Sequence, residues 1–165
     1  MTPAPTTGGT TLQLRRTVPA SREAVFRAWT DPDSLRRWFG APDTSIPRAD
    51  LDVRVGGDYR IEMQSPLGTA SVFGTYIEVE RPERLVYTFC WEGLPAPIAE
   101  TQVTVEFHDR GGATEVVLTH ERQPSRAAHE WHRWGWTHSL ERFADLLART
   151  AADEAHGERG ADDTQ

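Results

Sequence analysis

Residues 114–147 read TEVVLTHERQPSRAAHEWHRWGWTHSLERFADLL, and a change of period inside this stretch decides the fold. Val116, Leu118 and His120 recur every second residue, the spacing of a strand with one buried face. From Ser125 to Arg149 the spacing becomes three and four, through Trp136, Leu140, Phe143 and Leu147, with Leu146 widening the stripe. A half-buried strand therefore hands over to an amphipathic helix, the longest in the chain.

Upstream, the alternation repeats through segment after segment. Val103, Val105 and Phe107 form one; Leu85, Tyr87, Phe89 and Trp91 another; Tyr59, Ile61 and Met63 a third; Leu51, Val53 and Val55 a fourth. Polar residues lie between them, as in antiparallel strands wet on one face and buried on the other. Gly56-Gly57, Pro66-Leu67-Gly68, Arg81-Pro82-Glu83 and Asp109-Arg110-Gly111-Gly112 supply hairpin-sized turns. Between Phe73 and Val79 the inward face is ambiguous, and Gly74 is the candidate bulge.

Nearer the start, Leu12, Leu14 and Arg16 read as a first strand stopped by Pro19. Ser21 is placed to cap a short helix carrying Val25, Phe26 and Trp29. Asp31-Pro32-Asp33 restarts a second one, carrying Leu35, Trp38 and Phe39. One long amphipathic helix and a sheet with one apolar face leave a single economical packing. The predicted fold is α+β, a curved antiparallel sheet wrapped around the long C-terminal helix, with two short helices closing one end. The expected domain is residues 12–150, between a disordered N-terminal tail, 1–11, and a disordered acidic C-terminal tail, 151–165.

Composition narrows the function classes. The chain of 165 residues has 38% hydrophobic and 26% charged residues, ordinary for one globular domain and too polar to span a bilayer. Its 18 basic and 25 acidic residues give a net charge of −7, every basic residue is Arg, and the only basic runs are pairs such as Arg15-Arg16 and Arg36-Arg37. Such a surface repels phosphate backbones, so no nucleic-acid partner is expected. The absence of Lys and Asn points to GC-rich, bacterial coding. Residues 1–11 lack a basic cap and an apolar run, so no signal peptide, anchor or membrane partner is expected and the protein is placed in the cytoplasm. The single cysteine, Cys90, falls in a strand pattern and is expected to be a small buried hydrophobe.

Several segments resemble those of a bacterial family. They are Trp29-Thr30-Asp31-Pro32 with Leu35-Arg36-Arg37-Trp38-Phe39, then Asp52-Val53-Arg54-Val55-Gly56-Gly57-Asp58-Tyr59, and Pro82-Glu83-Arg84-Leu85-Val86-Tyr87-Thr88. Thr114-Glu115-Val116-Val117-Leu118-Thr119-His120 and Gly135-Trp136 with Leu140-Glu141-Arg142-Phe143 complete the set. The family is related to the C-terminal domain of the activator of the heat-shock-protein-90 ATPase, in the START-like or SRPBCC superfamily. The resemblance implies a helix-grip fold with a cavity between sheet and last helix. The superfamily includes cyclases, lipid carriers, hormone receptors and antibiotic-sequestering proteins, so the fold alone assigns no chemistry. No sequence is left over for the eukaryotic activator's second domain, which argues against a true co-chaperone role.

His129-Glu130-Trp131-His132 spaces its histidines by three, where a zinc helix needs four, so no metal and no cofactor is expected. These histidines are read as solvated or capping. No carboxylate falls on the inward strand faces, which leaves no catalytic residue assigned and His120 as the one inward titratable group. His120 could orient a ligand, act as a base or hold a backbone carbonyl, and the structural role is favoured. The excess of aromatic residues suits an apolar cavity with few polar anchors. The expected ligand-binding residues are Trp38, Phe39, Tyr59, Met63, Tyr87, Phe89, Trp91, His120 and Gly135. Trp131, Trp134 and Trp136 cannot all be buried on one helix face, so one of them is expected at a cavity mouth or an interface. Gly135, mid-helix, is read as allowing close approach of the helix to the sheet or to a ligand. The leading expectation is a binding protein for a hydrophobic or aromatic small molecule. The alternatives are a cyclase- or hydrolase-like enzyme using His120 and a tyrosine, and a protein-partner module like the chaperone activator. A monomer or homodimer fits either.

Overall fold

The computed structural model describes residues 10–96 and 98–162. Strand β1 (Thr10–Val18) leads into α1 (Arg22–Thr30) and α2 (Pro32–Trp38). Strands β2 (Ser45–Leu51), β3 (Asp58–Ser65), β4 (Gly68–Glu80), β5 (Arg84–Glu92), β6 (Thr101–Asp109) and β7 (Thr114–Gln123) follow, then α3 (Arg126–Asp162). The seven strands form one curved sheet in the order β1-β7-β6-β5-β4-β3-β2, and every neighbouring pair is antiparallel. This is the helix-grip arrangement anticipated from the sequence. No described helix is long and apolar enough to cross a membrane.

The caps explain where the short helices start. The Ser21 hydroxyl accepts from the Ala24 N–H at 3.2 Å, and the Asp31 carboxylate accepts from the Ser34 N–H at 2.9 Å with Pro32 at the first position. Ser125 begins α3 in the same way, accepting from Ala128 N–H at 3.0 Å. The inward stripe of α3, Trp136, Leu140, Phe143 and Leu147, is buried. It meets inward strand residues, Val103, Val105, Phe107, Val116 and Leu118 among them, in one core. Trp29 from α1 sits at its centre, with ring centroids 4.5 Å from Trp38, 5.2 Å from Phe143 and 6.0 Å from Trp136. Its indole donates to the Tyr87 hydroxyl at 3.3 Å, so the polar edge is satisfied inside.

Several sequence expectations are corrected. The strand read through Leu51, Val53 and Val55 starts at Ser45 and ends at Leu51; Val55 lies in the turn that follows, 66% exposed. Apolar residues in a tight Gly-rich turn imitated an alternating pattern. Thr10 and Thr11, assigned to a tail, belong to β1, and α3 continues past Thr150 to Asp162. A polar helix end carries no apolar period for the sequence reading to detect. Residues 1–9 and 163–165 of the expected tails lie outside the described residues. Cys90 is half-buried on the outer face, with its thiol 3.5 Å from the Glu100 carboxylate.

The bulge in β4 falls between Tyr76 and Glu78 rather than at Gly74. Tyr76, 5% exposed, takes the inward place the ambiguous pattern had left open. Gly74 serves another purpose, because a Cβ there would stand 2.1 Å from the Thr88 carbonyl oxygen on β5. The Tyr59 hydroxyl donates to that same oxygen at 2.6 Å, so backbone and side chain converge on one point. Gly74→Ala should therefore push β4 from β5 and cost about 1–3 kcal/mol, as overpacking does. Urea unfolding checks this, and an unchanged midpoint would refute it.

Candidate functional site

A cavity of about 530 Å³ opens between the middle of α3, the hairpin β3–β4, the end of β5 and the turn after α2. Helix α3 contributes Trp131, His132, Trp134, Gly135, Trp136 and Ser139. Met63, Ser65, Pro66 and Leu67 line it from the hairpin side, Phe89, Trp91, Leu94 and Pro95 from β5 and its following loop, and Phe39 to Thr44 from the turn. Four of the chain's six tryptophans thus face one space. Trp91, Trp131 and Trp134 touch in series, with successive ring centroids 5.9 Å apart.

The turn after α2 is tied to α3. Ser139 accepts from the Gly40 N–H at 2.9 Å and donates to the Gly135 carbonyl at 2.8 Å. Arg142 donates to the carbonyls of Gly40 and Ala41 at 3.2 and 3.4 Å. These bonds fix one wall of the cavity.

At the cavity floor His132 meets a second imidazole behind it, with the rings of His120 and His132 4.2 Å apart. The Trp136 indole donates to His120 Nδ1 at 3.1 Å, and the Trp91 indole donates to His132 Nε2 at 2.9 Å. An indole N–H can only donate, so each histidine must present a bare nitrogen to it and be neutral. The other nitrogens are then donors: His120 Nε2 to Thr101 Oγ1 at 2.6 Å, and His132 Nδ1 to Gln123 Oε1 at 2.6 Å. Thr101 passes its own proton to the Phe89 carbonyl at 3.1 Å. Burial, reinforced by the neighbouring imidazoles, holds His120 well below its usual pKa. Burial also pulls His132 down to about 4. The hydroxyls of Tyr59, Tyr76 and Tyr87 are all pushed up, chiefly by burial, and stay protonated. Burial first, then Glu100, pushes the Cys90 thiol up to about 11.

The expected site residues divide. Phe39, Met63, Phe89, Trp91 and Gly135 line the cavity. Trp38, Tyr59 and Tyr87 do not; they surround a separate void of about 20 Å³ deeper in the core, too small for an organic ligand. Inward direction on a curved sheet leads to two different places, and strands β3 and β5 reach the cavity only with their β3–β4 and post-β5 ends. His120, also expected to bind ligand, does not line the cavity; it stands behind Phe89 and Trp136, 0% exposed, with both nitrogens bonded to side chains rather than to a backbone carbonyl.

His132, expected to be solvated or capping, is instead 3% exposed and forms part of the cavity floor. Its spacing of four from Trp136 along α3 was the available signal. Nothing sequential marked the turn residues Gly40 to Thr44 or Ser139. Gly135 does not permit close approach to the sheet, since a Cβ there would meet nothing within 4 Å; it leaves room in the cavity. Trp134, 43% exposed, is the tryptophan at the mouth. Among the described residues no cluster of His, Cys, Asp or Glu is arranged to hold a metal ion.

The profile of the family described as "Activator of Hsp90 ATPase homolog 1-like protein" matches residues 19–148. The chain belongs to this family. A crystal structure of a protein from Chromobacterium violaceum is similar, at 26% identity and TM-score 0.76, covering 83% of this chain and 96% of that one. The AHSA1 protein of Silicibacter pomeroyi is similar at 27% identity and TM-score 0.76, covering 86% and 99%. An AHSA1-like protein from Aeromonas hydrophila, solved by NMR, shares 26% identity with a TM-score of 0.70 over 86% and 94%. No curated protein matches this chain. The activator-like family supports a ligand-binding or activator-type domain.

Proposed function

We propose that this protein binds a hydrophobic or aromatic small molecule in the cavity between α3 and the sheet. The observation that carries the reading is the cavity itself: about 530 Å³, within the range of small-molecule sites, and walled by four indoles, Phe39, Phe89 and Met63. Polar groups are few, and His132 and Ser139 already have their hydrogen-bond partners. The alternative enzyme needs a base, and His120 has both nitrogens engaged while the tyrosines are held protonated. That favours binding over turnover.

The test is a panel of neutral aromatic and aliphatic compounds read by tryptophan fluorescence and thermal melting. A ligand at a hundred times its Kd stabilises the fold by about 2.7 kcal/mol. For a domain of this size that is a rise in Tm of about 5–10 °C. Gly135→Phe should abolish the shift by filling the space. Gly135→Ala should raise the stability of the empty protein by up to about 1 kcal/mol, because glycine inside a helix is unfavourable and the added methyl meets open space. If no compound gives a shift, the binding reading fails and a protein-partner role replaces it.

A further inference from the structure

We propose that the cavity selects by charge, accepting apolar molecules with a cationic or neutral head and rejecting anionic ones. This deepens the small-molecule reading and rests on it. The cavity wall contains one charged side chain, Asp43, and no arginine, in a chain that has no lysine. Asp43 stands exposed on the rim in a left-handed turn, φ +62°, and makes no ion pair among the described residues.

An anion entering here would lose its hydration with no cationic side chain in the wall to replace it. The Gly40 N–H is committed to Ser139, and His132 presents its Nε2 as an acceptor from Trp91. Arg142, bonded to the Gly40 and Ala41 carbonyls, does not itself line the cavity. A cation meets the opposite situation. The indole faces of the series Trp91, Trp131 and Trp134 attract positive charge through their quadrupoles, tryptophan being the strongest such partner. Asp43 adds a full negative charge at the entrance.

Three probes sharing one apolar body test this: N-phenyl-1-naphthylamine, its sulfonate 1-anilinonaphthalene-8-sulfonate, and its trimethylammonium counterpart. At low salt the cationic probe should bind about 10-fold or more tightly than the sulfonate, the size expected when a cation gains aromatic and carboxylate partners. The ratio of the two affinities is the readout. The net charge of −7 favours cations anywhere on the surface, so Asp43→Asn is the arm that places the preference in the cavity. Asparagine tolerates the left-handed turn. It should reduce the ratio several-fold, whereas Glu23→Gln, an exposed change on α1, should leave it unmoved. A ratio of one or less in the native chain, or one that Asp43→Asn does not alter, overturns the charge selection while leaving the cavity reading intact. Failure of all three probes and of the compound panel to bind sinks both.

Discussion

Trp136→Ala should lower folding stability by about 3–5 kcal/mol, the range for removing a large buried aromatic side chain. Trp136 is 3% exposed and packs on Trp29, Phe39 and Phe89 at centroid distances of 6.0, 5.7 and 5.8 Å. The substitution removes those contacts from the junction of core and cavity. It also takes away the only donor to His120 Nδ1 among the described residues. Trp136→Phe separates the two effects, keeping an aromatic ring while leaving the imidazole nitrogen bare in a site with 0% exposure. An unsatisfied buried acceptor costs about 1–3 kcal/mol. Urea unfolding at neutral pH is the measurement. If Trp136→Phe matched the native midpoint, the indole bond to His120 would carry no stability and the argument for its neutral form would fail.

Acid should destabilise this protein through its histidine pair before most carboxylates are protonated. His132 has a folded pKa of about 4 against an ordinary 6.5, so the unfolded chain binds the extra proton more readily. Stability from this group is complete above pH about 6.5 and is lost as pH falls toward about 4. The loss by pH 4.5 is about 2.5 kcal/mol. His120, also held below its ordinary value, acts in the same direction. Protonation would set a new N–H against each indole N–H, and the two rings, 4.2 Å apart, would repel once charged. His132→Gln keeps an acceptor for Trp91 and removes the titration. The difference in unfolding free energy between native chain and variant, measured from pH 7.5 to 4.5, should carry this slope. A difference that does not vary with pH would contradict the assignment.

The fold was largely legible because local chemistry and tertiary packing ask for the same residues. Leu85, Tyr87 and Phe89 alternate because one side of β5 is core, and Trp136, Leu140, Phe143 and Leu147 keep helical spacing because one side of α3 is core. The caps at Ser21 and Asp31 are interactions within three residues, so the sequence states them directly. Where one-face burial did not hold, the reading slipped: Val53 and Val55 imitate a strand inside a turn, and the β4 bulge moves the face at Ile77 rather than at Gly74.

The cavity was legible only by residue type. Sequence alone determined an aromatic-rich, acidic chain with an inward histidine, an antiparallel sheet and one long helix, because periodicity and charge are properties of neighbouring residues. Tertiary structure decided which aromatics enclose space and which fill it. Tyr87 and Phe89 point the same way from one strand, yet Tyr87 closes on Trp29 in the core while Phe89 reaches the cavity. It also decided the protonation of the histidines, since His120 and His132 are made neutral by indoles 16 and 41 residues away in sequence. Such partners are chosen by the curvature of the sheet around α3, and no local spacing encodes a contact that exists only once the chain has closed upon itself.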